Sequence, residues 1–382
     1  MKNSKVHGGK EFQSNFRYVG QVTKYISGIK EEAKVVDFFT EKITEQKGIP
    51  MRSVVFQVVT DKYNKLKVEL NGFKQEFAYP YSSKTKKSSK VKWEDRFNKD
   101  KYPDNTYHLI SPDWDVCQSL GDMLQEEIWV EVKGYYDFSK YQAEDSDQEY
   151  NITKRIIKSV NIIKPKENTF EEWYKQGFKK DWDKKEAISS ELQDKFDAWD
   201  KQHKKVSYIN QDNKEIEFEY ICDFSDPNFK EINTGYIELG IRSTWQDETT
   251  KDTKVNAVYM GYGKEASIPK EFEMMVYYKD SVKTPLADAF AKLNRGDFVK
   301  VQIRDNNRPI FSQVEDIDTD QADNPFADVE EKVANVGWAI SGNLKGLEIV
   351  NQVTGTYIKN MLSEDELAGL PSEEEVPEWM KE

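Results

Sequence analysis

Residues 111–134 read SPDWDVCQSLGDMLQEEIWVEVKG, and this stretch decides the fold. Ser111 offers a helix cap, Pro112 a first helical position and Asp113 an acid in the first turn. Trp114, Cys117, Leu120 and Leu124 then recur at helical spacing, and Ile128, Val130 and Val132 alternate as a strand directly afterwards. The same grammar returns at residues 285–304, PLADAFAKLNRGDFVKVQIR. There Leu286, Phe290 and Leu293 make the helical stripe, residues 294–297 stop it, and Val299, Val301 and Ile303 alternate. A short helix feeding a strand, with several strands before it and one after, is how a small five-stranded barrel closes.

The flanking sequence fits that scheme twice. In the first half residues 16–27, 52–61, 65–70 and 73–81 read as strands, and residues 152–163 supply the last one before Pro165. Residues 31–47 read as a helix or insertion, with Val35, Val36, Phe38, Phe39 and Ile43 at mixed spacings. In the second half strand-like runs occupy residues 215–224, 235–245, 254–263 and 272–279, and residues 310–317 close the set. Between the halves, residues 167–205 are dense in charge, with Thr169 and Glu172 at capping-box spacing and Trp173, Trp182, Leu192, Phe196 and Trp199 as an apolar stripe. The expectation is a mainly β chain with minor α: a polar arm (1–15), a first oligonucleotide/oligosaccharide-binding (OB) fold (16–165), a helical connector (166–205), a second OB fold (206–318) and an acidic, largely flexible end (319–382).

Composition narrows the function classes. No run of eighteen apolar residues exists, and the polar start lacks a hydrophobic segment, so a soluble cytoplasmic protein is expected. Cys117 and Cys222 stand far apart, which argues against a disulfide framework. His7, His108 and His203 have no second histidine or cysteine at metal-ligand spacing, and no phosphate loop, nucleophile elbow or zinc-protease motif occurs. A binder without cofactor or metal is expected, rather than an enzyme.

The net charge of −13 is unevenly distributed. Residues 315–335 and 364–382 each carry eight acids and one base, while residues 1–100 hold 21 basic and 12 acidic side chains. Lys84, Lys86, Lys87, Lys90, Lys92 and Arg96 follow Tyr79 and Tyr81 and enclose Trp93. Cations neutralise phosphates with counterion release, and exposed rings give bases a stacking face, so this interleaving suits a single-stranded nucleic acid. In the second half Arg242, Trp245, Tyr259, Tyr262 and Lys264 lie near the facing ends of two consecutive strands and could line a second groove.

The acidic end repels nucleic acid and so has a different task. Asp323-Asn324-Pro325-Phe326 and Glu373-Glu374-Glu375-Val376-Pro377-Glu378-Trp379 combine acids with a proline–aromatic element. In these fragments the chain resembles single-stranded-DNA-binding proteins of the large phage type. That resemblance implies OB-fold cores that coat and protect single-stranded DNA in replication, recombination and repair, and a tail (Glu373, Glu374, Glu375, Pro377, Trp379) that recruits partner proteins or competes with DNA. The first fragment is internal and the second is followed by Met380-Lys381-Glu382, unlike the family's terminal tip. Two other classes remain open on sequence: a phage protein whose barrels bind host proteins, and a magnesium-dependent hydrolase using clustered acids. Preference for DNA or RNA, site size and oligomeric state are not encoded in any motif.

Overall fold

The computed structural model describes residues 11–28, 33–44, 48–142, 149–166, 169–178, 188–202, 205–209, 215–262, 267–280, 285–316 and 335–369. Ten long strands make the frame: β1 Ser14–Thr23, β2 Pro50–Val59, β3 Lys65–Phe73, β4 Trp129–Gln142, β5 Glu149–Ile162, β6 Ile232–Gln246, β7 Thr253–Gly261, β8 Ile268–Val276, β9 Phe298–Asp316 and β10 Asn335–Gln352. The helices are α1 Asp113–Met123, α2 Phe170–Phe178, α3 Ser190–Gln202, α4 Leu286–Phe290 and α5 Glu364–Ala368. The chain is mainly β, as its alternating valines, isoleucines and aromatics predict.

Strand pairing forms two closed cycles. In the first, β1 pairs β2, β2 pairs β3, β3 meets β5 in parallel at Glu69 and Ile156, β5 pairs β4, and β4 returns to β1. In the second, β6 pairs β7, β7 pairs β8, β8 meets β10 in parallel at Met274 and Leu347, β10 pairs β9, and β9 returns to β6. Each cycle inserts its helix, α1 or α4, between its third and fourth strands. The cycles are joined directly, because β1 pairs antiparallel with β6 from Ser14 opposite Ile237 to Val19 opposite Ile232. The long strands and the short edge strand Phe39–Ile43 thereby form one 11-stranded sheet.

Local chemistry explains the joints. Along one edge β1 serves β6 over residues 14–19 and β2 over residues 21–23. At the changeover a Cβ on Gly20 would stand 1.9 Å from the Val59 carbonyl oxygen, so only glycine admits β2 this closely. Gly72 does the same for α1: a Cβ there would lie 2.2 Å from the Trp114 nitrogen. α1 turns Trp114, Cys117 and Leu120 inward, and Cys117 Sγ donates to the Leu70 carbonyl at 3.5 Å.

One hydrophobic cluster fills both cycles, from Val54, Phe56 and Leu66 in the first to Val301, Ile303 and Ile349 in the second. Phe138 stacks on Phe272 at 4.0 Å between centroids, linking β4 to β8, and such a pair adds about 0.5–1.5 kcal/mol beyond its buried area. A buried polar network crosses the same boundary. Arg155 grips Asp305 through two bonds of 2.5 and 2.6 Å, and the Tyr18 hydroxyl donates to Asp305 at 2.8 Å. Tyr18 has a single proton to give, so the Tyr136 hydroxyl donates to Tyr18 at 2.7 Å. Asn64 and Asn233 donate to the Asp305 carbonyl, at 3.0 and 2.6 Å. A second bridge runs from Arg308 on β9 to Asp61 at 2.7 Å and to Glu231 at 3.0 Å.

Several expectations need correction. Residues 33–44 hold two short strands, Lys34–Val36 and Phe39–Ile43, instead of a helix; their β-branched and aromatic residues favour a pleated edge. The run at 73–81 is not a long strand: β3 already reaches Phe73, and only Phe77–Ala78 and Tyr81–Ser82 are extended beyond it. Pro112, extended at φ −62° and ψ 149°, is the residue preceding α1, so the helix starts one residue later than the Ser-Pro signal suggests. Residues 310–316 continue β9, and the strand that closes the second cycle is β10, beyond the expected limit of 318. The acidic stretch 317–334 separates β9 from β10 in sequence, which hid their partnership. Residues 317–334 and 370–382, with the Pro-Phe and Pro-Glu-Trp fragments, lie outside the described residues.

Candidate nucleic-acid interface

Between β3 and α1 the chain makes a folded insertion. Phe77–Ala78 pairs Val91–Lys92, and Tyr81–Ser82 pairs both Lys87–Ser88 and Tyr107–His108. Lys86 takes the left-handed conformation, φ 55°, in the turn of this small ribbon. Ala78, Val91 and Trp93 form a private core with Trp114 of α1, flanked by Tyr102 and Leu109. The insertion is therefore anchored to the first cycle.

This anchoring separates the predicted residues. Tyr79 (54 % exposed), Tyr81, Lys84, Lys86, Lys87, Lys90 and Lys92 all face solvent. Phe97 is also exposed, and the Lys90 ammonium sits 3.6 Å from the Phe77 ring centroid. Trp93 is buried instead, and Arg96 is committed: it holds Asp115 through two bonds of 2.8 Å and lies 4.5 Å from the Trp93 ring. The hydrogen bond to Asp115 raises the Arg96 pKa further above its ordinary value. These two residues build the platform; the lysines and tyrosines stand on it.

In the second cycle the predicted group disperses. Trp245 is 60 % exposed at the end of β6, opposite Lys254, which pairs with Glu273 at 2.9 Å. Arg242 is ion-paired with Glu271 and, with Ser243, Asn256, Asn151 and Arg295, lines an open cleft of about 330 Å³. Tyr262 is exposed. Tyr259 is half-buried, donating its hydroxyl to the Phe12 carbonyl at 2.7 Å, and burial raises its pKa. Lys264 lies outside the described residues. Among the described residues the predicted group therefore offers one cation held by a carboxylate and two exposed rings.

Other candidates had no signal in the sequence. Lys67 sits 4.8 Å from the Tyr25 ring and pairs with Glu69 at 2.8 Å, and Lys158 sits 5.1 Å from the Tyr135 ring. Their neighbours in space come from different strands, so no spacing announces them. Among the described residues no group of three or more His, Cys, Asp or Glu side chains is placed to hold a metal ion. No described helix is long and apolar enough to cross a membrane.

No protein-family model and no curated protein matches the chain. Two solved structures of the single-stranded DNA binding protein from Thermus aquaticus are similar at 8% sequence identity. A deletion mutant aligns with TM-score 0.34 over 93% of this chain and 98% of that one. The wild type aligns with TM-score 0.33 over 91% and 95%.

Proposed function

We propose that the two strand cycles are OB-fold barrels in tandem and that the chain binds single-stranded DNA without catalysis, coating and protecting it with weak sequence preference. The barrel reading is supported by the pairing order, in which the first strand contacts the second and fourth, the third runs parallel to the fifth, and a helix links third to fourth. The observation that carries the binding reading is the anchored insertion, which holds exposed Lys84, Lys86, Lys87, Lys90 and Lys92 and the rings of Tyr79, Tyr81 and Phe97 on one folded element. Phosphate neutralisation and ring stacking require this pairing of groups, and neither reads base edges.

The same reading gives α2 and α3 the task of connecting the barrels. It gives the acidic tail with Glu373, Glu374, Glu375, Pro377 and Trp379 the task of recruiting replication or recombination proteins or of competing with DNA, in the cytoplasm of a phage-infected host. Competition binding tests the core of the proposal. The intact chain should release labelled oligo-dT to a mixed-sequence single strand nearly as readily as to unlabelled oligo-dT, and much less readily to a duplex of equal length. Preference for the duplex, or no binding of oligo-dT at all, contradicts it.

A further inference from the structure

The joint between the cycles presents an outer surface as well as an inner one. On β1 the inward residues are Phe16 and Tyr18, so Asn15 and Arg17 face out; on β6 Gly235 and Ile237 face in and Thr234 and Tyr236 face out. Registration across the joint sets Asn15 opposite Tyr236 and Arg17 opposite Thr234. The rows continue on both sides. Lys133 on β4 is opposite Arg17, and on β9 Gln302 is opposite Tyr236, two residues before Arg304. Tyr135 follows Gly134, the partner of Phe16, and so borders Asn15. Two tyrosines from different cycles thus lie on one row, separated by a single strand, about 10 Å by strand spacing.

Cations gather on this face. Arg17 and Lys133 both bind Glu131, at 2.6 and 3.0 Å, so one fully buried carboxylate holds two cations. Lys158 and Arg304 are exposed and, among the described residues, have no ion-pair partner. Glu238 is bonded by the Gln13 nitrogen at 2.9 Å and approached by Lys300 at 3.5 Å. Directly beneath, the Tyr18–Tyr136–Arg155–Asp305 network ties β1, β4, β5 and β9 together. The surface is therefore preorganised, and binding there orders little that is not already fixed.

We infer that one unpaired strand crosses the β1–β6 joint, stacking on Tyr135 and Tyr236 and placing phosphates near Arg17, Lys133, Lys158 and Arg304, so that both cycles share a single track. This inference rests on the proposed binding of single-stranded DNA and adds a path to it.

Photo-crosslinking of the intact chain to oligo-dT carrying 5-iododeoxyuridine, with peptide mapping, reads the path without any substitution. The expected result is adducts at Tyr236 or Tyr135. In parallel, Tyr236→Ala should weaken binding about tenfold, and Arg304→Gln should reduce the salt dependence by about one phosphate's share. Adducts confined to residues 79–97, with both variants binding as the unaltered chain does, would overturn the shared track while leaving single-strand binding in place. Failure of the unaltered chain to bind oligo-dT would instead remove the reading beneath it. Should Tyr236→Ala lose its near-ultraviolet circular dichroism, the crosslink map of the unaltered chain decides.

Discussion

Asp305 shows how much a single side chain can hold. Its carboxylate has no solvent exposure and receives Arg155 twice and Tyr18 once, while its backbone engages Asn64 and Asn233. Asp305→Asn leaves the largely buried Arg155 beside a neutral amide, and removing one partner of such a pair costs up to about 3–5 kcal/mol, to be read as a lower urea midpoint at unchanged slope. Glu131 supplies a pH test. Burial pushes its carboxyl up, but bonds from Arg17 and Lys133 outweigh this and leave its pKa below the ordinary value. Its contribution is thus fully present above the unfolded pKa of about 4.3 and lost as pH falls through the lower folded value. Glu131→Gln should therefore flatten the acid limb of a stability-against-pH curve. At the surface, replacing Lys84, Lys86 and Lys87 together by Gln should lower the magnitude of the salt slope for single strands by up to about 2, with stability changed by no more than about 0.5 kcal/mol. Those lysines were legible because they interrupt an aromatic-rich run. The burial of Trp93 and the Arg96–Asp115 bond were not, since both arise from the insertion needing a core of its own.

Elements were most legible where one face is buried and periodicity survives. β4, β9 and the two helices could be found because Val130, Val132, Val299, Val301 and Ile303 alternate and Trp114, Cys117 and Leu120 recur at helical spacing. β10 was not found, because glycines at 337, 342 and 346 dilute its pattern and an acidic stretch precedes it. The pairing of β1 with β6 could not have been read at all: it joins residues more than two hundred positions apart. Glycine at the β1 changeover offers the sharpest test at this scale. In Gly20→Ala the new methyl meets the Val59 carbonyl backbone, which no rotamer can relieve. The expected loss is about 1–3 kcal/mol in chemical denaturation, through displacement of β2 from β1. A variant as stable as the parent would mean that the β1–β2 contact is looser than described.

At the scale of the whole molecule, the continuous sheet, shared core and buried polar bridges make the two cycles one mechanical body. Thermal unfolding followed by tryptophan fluorescence and by far-ultraviolet circular dichroism should therefore give coincident single transitions, whereas two separated steps would show cycles that melt independently. A rigid body carrying cations and rings on one insertion and across its joint suits an unpaired polyanion. The most direct test of that claim is fluorescence anisotropy of labelled oligo-dT titrated with the intact chain at a series of salt concentrations. The account predicts binding that weakens about a hundredfold between 50 and 200 mM salt, the share of roughly five neutralised phosphates. No binding at 50 mM, or an affinity indifferent to salt, would contradict it.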